Sequence, residues 1–379
     1  MIEKEVVVIG GGPSGLSAAI EVAKRGAEVL VVDENLRAGG QLFKQIHKFF
    51  GSSAHQAGVR GIDIASELLE RTRECGMEVW LNSVVVGLFK EKKVTIKRAL
   101  ADNSEKLEII QAKKIVIATG ASENAVSFKG WTLPGVMGAG AAQTMINVNR
   151  VLPGKRILMI GSGNVGLIVS YQLLQAGTEV VGVIEAAPQI GGYGVHAAKI
   201  RRAGVPIYTS HTIQEAIGKK SVEKAVICEV NDKWQPIRGT EKILEVDTIT
   251  IAVGLKPLIE LAMMHDCKCS YLPQLGGWVP LHDGNMESTN SGIYLVGDVT
   301  GVEEANTALE EGRLAGTAIA EALKYISFED ARKIKKEIWQ RLNELRMGPF
   351  GEERMLAKNN ILIGCKIFNR LKDIKISGS

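Results

Sequence analysis

The sequence predicts an α/β protein carrying two strand–turn–helix nucleotide-binding units, and three observations predict it. Two short strand-like runs, Val6–Ile9 and Arg156–Ile160, each end in a glycine turn at G-x-G-x-x-G spacing. Each turn opens directly into a helix-spaced apolar segment. A second apolar run then follows and ends in an acid, Asp33 in the first unit and Glu185 in the second. Strand, tight turn, helix, strand and acid is the order of a βαβ dinucleotide site.

In the first unit each glycine has a mechanical task. Gly10 allows the tight turn, Gly12 lets a pyrophosphate approach the backbone, and Gly15 lets helix pack closely on strand. Pro13 and Ser14 complete the turn, and phosphates are favoured at the N-terminus of the helix that follows. That helix carries Leu16, Ala19, Ile20 and Ala23 on its apolar face. Val29–Val32 ends at Asp33, eighteen residues beyond Gly15, with Glu34 beside it. A carboxylate there can accept both hydroxyls of an adenosine ribose.

Arg37 to Gln41 is a turn rich in backbone N–H groups. Gln41 to Gly61 is a polar loop carrying Lys44, His47, Phe49, Phe50 and His55. A loop of that length is functional or disordered more often than not, with surface decoration as the plainer reading. Residues 62–75 read as an amphipathic helix, and 78–111 as short strands with a charged hairpin at Lys90–Lys93. Lys114–Gly120 reads as a buried parallel-type strand running into the small-residue turn Ala118-Thr119-Gly120. Gly130–Gly140 reads as a linker, with Pro134-Gly135 marking a turn.

The second unit repeats the first. Gly161, Gly163, Asn164, Val165 and Gly166 form the turn, Leu167–Gln175 the helix, and Val180–Ile184 the strand ending at Glu185. A glutamate there hydrogen-bonds a free ribose 2′-hydroxyl and repels a 2′-phosphate. Ala186, Ala187 and Pro188 offer no arginine, so NAD(H) is expected rather than NADP(H). Thr248–Gly254 and Ser291–Asp298 are further strands meeting turns, and Glu303–Leu323 is a helix with small residues on one face. The tail, 326–379, holds a charged helix over 328–346, a break at Gly348-Pro349 and a basic end from Lys366 to Lys375.

A length of 379 residues allows two or three domains, each with its own core. A net charge of +4 is too mild to argue for nucleic acid, and 5% aromatic residues gives little surface for base stacking. The five cysteines are odd in number and scattered, which suggests no disulfide framework. A first strand starting close to Met1 leaves no room for a signal peptide, and no apolar run reaches the ~18 residues of a membrane span. A reducing, cytoplasmic setting is expected.

Taken together, these motifs resemble the two-dinucleotide-binding flavoproteins. The similarity extends to one branch through Gly39-Gly40-Gln41, Gly130-Trp131-Thr132-Leu133-Pro134-Gly135-Val136, Gly276-Gly277-Trp278-Val279-Pro280, and Gly297-Asp298 followed by residues 303–312. That branch contains the alpha subunits of sarcosine oxidase, opine dehydrogenase, hydrogen cyanide synthase and dye-linked proline dehydrogenase. The resemblance covers residues 1–325. It implies two Rossmann-like domains, the NAD domain (123–250) inserted in a discontinuous FAD domain (1–122 and 251–325), plus a C-terminal extension (326–379).

The resemblance also implies roles. FAD would take the first site, with its pyrophosphate on Gly10, Gly12, Pro13, Ser14 and Gly15, and its adenosine ribose on Asp33 and Glu34. Thr119, Gly120 and Gly297 would lie along it, and Asp298 would bind the ribityl chain. Gly40 and Gln41 would lie by the flavin ring, with Lys44 and His47 within reach. Ala305, Asn306 and Thr307 would open a helix aimed at the N1–C2=O edge. NAD(H) would take Gly161, Gly163, Asn164, Val165, Gly166 and Glu185. The implied activity is that of an FAD-dependent NAD(H) oxidoreductase, passing hydride between nicotinamide and flavin N5. It would serve as the electron-transfer subunit of an amine, amino-acid or hydroxy-acid dehydrogenase complex. The expected partner is a catalytic FAD-dependent dehydrogenase or oxidase subunit, in an oligomer. Two other readings stay open: a nucleotide-binding structural subunit whose cofactors do not turn over, and a free-standing NADH oxidase or diaphorase.

Two departures from related flavoproteins matter. Disulfide reductases pass electrons through a C-x-x-C or C-x-x-x-x-C pair, and this chain has neither. The cysteine-rich domain that holds an iron–sulfur cluster in several relatives is also missing, since the tail contributes only Cys365, so an iron–sulfur protein would be a separate chain. Cys267-Lys268-Cys269 beside His265 lacks the second ligand pair of a zinc site, and no metal is expected. Tyr193, in Gly191-Gly192-Tyr193-Gly194, reads as a packed residue or as one flanking the nicotinamide path. The basic tail reads as a solvated face.

Overall fold

Val6–Ile9 is an unbroken apolar run because both faces of its strand are covered, as in parallel sheets flanked by helices. In the structure, a computed structural model that describes residues 2–100, 102, 104–348 and 351–377, this run belongs to the strand Ile2–Ile9. Val6 and Val8 enter the core on one side of the sheet, while Val7 and Ile9 enter the core on the other. The chain divides into two compact units, residues 1–122 with 256–379, and residues 123–255.

The first unit is built on a seven-stranded sheet. Ile2–Ile9 lies at its centre, parallel to Val29–Val32 on one side and to Glu105–Ile117 on the other. The strand expected from Lys114 therefore begins nine residues earlier, at Glu105. Its first half pairs antiparallel with Lys93–Ala99, and its second half runs parallel to Ile2–Ile9 and Ile293–Leu295. Polar and apolar residues alternate in the first half because only one face is covered: Leu107 and Ile109 are exposed while Ile110 is buried. The hairpin expected at Lys90–Lys93 turns between Ser83–Phe89 and Lys93–Ala99.

The helix Pro13–Ala23 packs against the helix Ala305–Ala322 almost backbone to backbone. A Cβ on Gly312 would collide with the carbonyl oxygen of Ser14, and one on Gly316 would lie 2.7 Å from that of Ala18. The stripe of small residues legible on the second helix is thus a contact surface. Residues 41–61 are not a bare loop. Phe49 N donates to Val59 O at 2.9 Å, and Gly58 N donates to Phe49 O at 2.9 Å, closing the segment on itself.

The second unit has a five-stranded parallel sheet in the order Ile207–Thr209, Glu179–Glu185, Arg156–Ile160, Thr248–Ile251, Val136–Gly138. A three-stranded antiparallel sheet, His211–Ile217, Lys224–Glu229 and Lys242–Glu245, completes it. The stretch 130–140 is more than a linker, because Val136–Gly138 is the edge strand of the parallel sheet, with Val136 opposite Ile249. Three residues are too few to show a period, so the sequence hides this strand.

The tail forms the helices Phe328–Leu345 and Glu352–Ser377. Ser327 caps the first, accepting from Asp330 N at 3.1 Å. Pro349 of the expected break lies outside the described residues. Among the described residues, no helix is long and apolar enough to cross a membrane.

The helix contact makes a direct prediction. Gly312→Ala is expected to destabilise the chain by about 1–3 kcal/mol through overpacking against Ser14, read as a lower urea midpoint; an unchanged midpoint contradicts the contact.

Candidate dinucleotide sites

Strand Ile2–Ile9 delivers its carboxyl end to the first glycine turn. Gly10 adopts φ 103°, and a Cβ there would collide with the Ala118 carbonyl oxygen. A Cβ on Gly15 would collide with the Gly10 carbonyl oxygen, so the helix can sit on the strand only with glycine at both places. Gly12 is the opposite case, because a Cβ there would meet nothing within 4 Å. Open space beside an exposed backbone, at a helix N-terminus with no side-chain cap, is what a pyrophosphate needs.

Asp33 is buried and already engaged. Its Oδ2 accepts from Gly11 N at 2.6 Å, and its Oδ1 accepts from Asn35 N at 2.8 Å and Asn35 Nδ2 at 2.9 Å. Three of its four lone-pair positions therefore fasten the turn, while the adjacent Glu34 is exposed. Gly39 and Gly40 fold back over the turn: Gly39 N donates to Gly11 O at 2.6 Å, and a Cβ on Gly40 would lie 2.8 Å from Gly12 Cα. Gln41 follows in an exposed position. Lys44 and His47 are half-buried further along, with His47 tilted against Phe49 at 5.8 Å between ring centres.

The remaining candidates for this site come from distant parts of the chain. Gly297 closes on Ser14, where a Cβ would lie 2.5 Å from Ser14 Oγ. Next to it, the Asp298 carboxyl receives one donor from among the described residues, Glu303 N, at 3.4 Å. Burial pushes that carboxyl up to about 6, because an ionised oxygen there is poorly solvated. Asn306, at the start of the helix Ala305–Ala322, donates through Nδ2 to Phe50 O at 3.0 Å, and its buried Oδ1 has no partner among the described residues. Thr119 and Thr307 are occupied, donating to Leu258 O at 2.7 Å and to Glu304 O at 2.6 Å. Gly120, at φ 74°, has open space where a Cβ would stand.

The second unit reproduces this plan bond for bond. Cβ atoms on Gly161 and Gly166 would collide with the carbonyl oxygens of Ala252 and Gly161, while Gly163 faces open space. Glu185 Oε2 accepts from Ser162 N at 2.9 Å and Ser162 Oγ at 2.7 Å, and its Oε1 accepts from Ala187 N at 3.0 Å. Asn164 and Val165 open the helix Asn164–Gln175, and Asn164 Oδ1 accepts from Tyr193 N at 2.9 Å. Gly191 N donates to Ser162 Oγ at 3.1 Å, and Gly192 N donates to Ser162 O at 2.9 Å. Gly191-Gly192 therefore does for Ser162 what Gly39-Gly40 does for Gly11. The signal was in the sequence: each Gly-Gly pair begins six residues beyond its acid.

A buried charge cluster beside Asp298 went unread. Glu303, Glu311, Arg346 and Lys358 are each no more than 5% exposed in their side chains. Arg346 donates to both Glu303 oxygens at 2.9 and 2.6 Å and to Glu311 Oε1 at 2.7 Å. Lys358 Nζ donates to Glu311 Oε1 at 2.8 Å and to Thr300 Oγ1 at 2.7 Å. The second Glu311 oxygen accepts from Gly297 N at 2.9 Å. Burial pushes the Glu303 carboxyl up, but Lys358 and Arg346 outweigh it and hold it well below the ordinary range. Both cations belong to the tail, which reads as solvated from sequence, where nothing local marks a buried ion.

The cysteines carry no comparable site. Cys267 is buried against Ser288, and burial pushes the Cys269 thiol up to about 11. Among the described residues no disulfide forms, and no three His, Cys, Asp or Glu side chains are grouped to hold a metal.

A family model described as pyridine nucleotide-disulphide oxidoreductase matches residues 4–312. The HcnB subunit of hydrogen cyanide synthase from Pseudomonas aeruginosa is 26% identical over 367 residues, covering 92% of this chain and 77% of its own length. The large-family relative from Rhizobium meliloti, an opine oxidase component, is 29% identical over 342 residues, covering 84% and 71%. The alpha subunit of sarcosine oxidase from Corynebacterium is 27% identical over 329 residues, and this chain spans 33% of it. Among solved structures, L-proline dehydrogenase of P. horikoshii aligns with a TM-score of 0.67 at 21% identity, over 90% of this chain and 59% of that one. Thioredoxin reductase of T. acidophilum aligns at 0.68 and 20% identity, over 86% and 100%. The chain belongs to the pyridine nucleotide-disulphide oxidoreductase family, FAD-dependent oxidoreductases that use NAD(P)H, and its fold is theirs.

Asp298 gives this site a pH signature. Its raised pKa means that its contribution to stability is complete below about 4 and is lost as pH rises through about 6. Asp298→Asn is therefore expected to stabilise the apoprotein by about 1–3 kcal/mol at pH 7 and by nothing at pH 4. Urea melts at the two pH values check this, and an equal effect at both contradicts it.

Proposed function

We propose that this chain is the FAD- and NAD(H)-linked electron-transfer subunit of a complex that dehydrogenates an amine, an amino acid or a hydroxy acid. One observation carries the reading: both units contain the same glycine turn, fastened by an acid through the second turn residue, with open space at the third. A chain that had kept one nucleotide and lost the other would have no reason to maintain both sets.

FAD suits the first turn, because the Asp298 acceptor and the unpartnered Asn306 Oδ1 extend that site beyond the reach of one βαβ unit. When bound, the flavin supplies a two-electron carrier that exchanges hydride with a nicotinamide. The chain's residues bind and orient it. Gly10, Gly12, Pro13, Ser14 and Gly15 take the pyrophosphate, and Glu34 with the last lone pair of Asp33 takes the ribose. Gly40, Gln41, Thr119, Gly120 and Gly297 line the path. Asp298 accepts from a ribityl hydroxyl, and Asn306 Oδ1 accepts from an N–H or O–H donor. The helix N-terminus at Ala305–Thr307 favours negative charge on the reduced ring by roughly 0.3–1 kcal/mol. Lys44 and His47 keep the looser assignment of neighbours.

The second site is assigned to NAD(H): Gly161, Gly163, Asn164, Val165 and Gly166 take the phosphates, and the Glu185 carboxylate opposes a 2′-phosphate. No residue is asked to move a proton in hydride transfer, which suits a chain without an evident acid–base pair. The relatives' names describe components of hydrogen cyanide synthase, opine oxidase and sarcosine oxidase, which supports a catalytic partner. The scattered, unpaired cysteines suit a reducing cytoplasm and leave any iron–sulfur relay to another chain.

NADH added anaerobically to the FAD-loaded chain is expected to bleach the flavin's visible band, with NADPH at least about tenfold slower. Unchanged absorbance with both nucleotides confirmed bound sinks the reading. A lone, stable homo-oligomer on gentle purification would instead point to a free-standing diaphorase.

A further inference from the structure

Asp298 is a buried carboxyl with little of its own to hold it, since its one donor among the described residues is a 3.4 Å contact from Glu303 N. What surrounds it is fixed far more firmly. Gly297 is held through its N–H by Glu311 at 2.9 Å. Thr300, two residues on, is held through its hydroxyl by Lys358 at 2.7 Å, with Glu311 Oε2 at 3.1 Å. Glu303, the residue whose N–H meets Asp298, is gripped at both carboxylate oxygens by Arg346. Lys358 also lies 3.3 Å from Glu303. All three backbone points around Asp298 are therefore pinned by side chains that end on the two tail cations.

Stability does not explain this arrangement. Two buried carboxylates and two buried cations balance in charge, and an apolar set of similar volume holds such a space as well or better. What an ionic network adds is a fixed geometry, because each partner has one orientation that satisfies the others. Lys358 further favours the ionised form of Asp298 against its burial.

We propose that Lys358 and Arg346 are positioning residues for the flavin site, with the tail fixing Asp298 where it meets a ribityl hydroxyl of FAD. The inference rests on the flavin assignment above. It gives the last two helices a task that neither their sequence nor the span of the family model suggests.

The test is FAD binding to the full-length apoprotein, followed by quenching of flavin fluorescence. Lys358→Met is expected to weaken binding about tenfold, and Lys358→Arg, which keeps the charge, to recover most of that loss. The deciding measurement is the same Lys358→Met change in an Asp298→Asn background, where it is expected to cost less than about twofold. Equal losses in the two backgrounds would mean that the tail supports the fold in general and not Asp298, and would overturn the proposal. If Lys358→Met does not fold, Thr300→Ala removes the ammonium's contact beside Asp298 with every charge left in place, and the same comparison applies to it. A wild-type chain that does not take up FAD refutes the flavin assignment itself, and this inference with it.

Discussion

A carbonyl oxygen standing where a Cβ would be is the constraint on which both units depend. Gly10 and Gly161 give that space to Ala118 and Ala252, and Gly15 and Gly166 give it to the first glycine of their own turns. The close approach sets the helix on the strand, and the helix sets the direction in which its first N–H groups face. Everything proposed for the phosphates follows from that geometry, since a helix withdrawn by even one methyl group no longer presents its N-terminus to the turn. Gly312 extends the same principle to a second helix, which reaches Ser14 only because it too lacks a Cβ.

The acids sharpen this picture. Asp33 and Glu185 read from sequence as ribose ligands, yet in the structure each first fastens its own turn, through Gly11 and Ser162. A carboxylate that organises backbone N–H groups and keeps one acceptor position for a ligand is preorganised: its orientation is settled before anything binds. The methylene that separates Asp33 from Glu185 is absorbed locally, with Asn35 closing the first clamp and Ala187 the second.

How much could be read in advance follows from the range of each interaction. The glycine turns, their helices and the acids were legible because their causes lie within a few dozen residues of one another. The start of the strand at Glu105 was missed because half of it faces solvent, and Val136–Gly138 because three residues show no period. Arg346 and Lys358 were missed for a different reason. A cation buried by partners 35 and 47 residues away looks, residue by residue, like any other charge on an amphipathic helix. Gly39-Gly40 and Gly191-Gly192 fall between these cases, their common spacing being visible once the two acids are aligned.

The buried ion cluster also decides where this chain can be cut. The span matched by the family model stops at residue 312, a natural place to trim the protein. A chain ended there keeps Glu303 and Glu311 in the floor of the first unit but discards both cations that neutralise them. Breaking such a pair from one side typically costs about 3–5 kcal/mol, a large share of a domain's stability. The smallest autonomous version of this protein therefore runs through Lys358. A fragment chosen by homology alone would be charged on the inside.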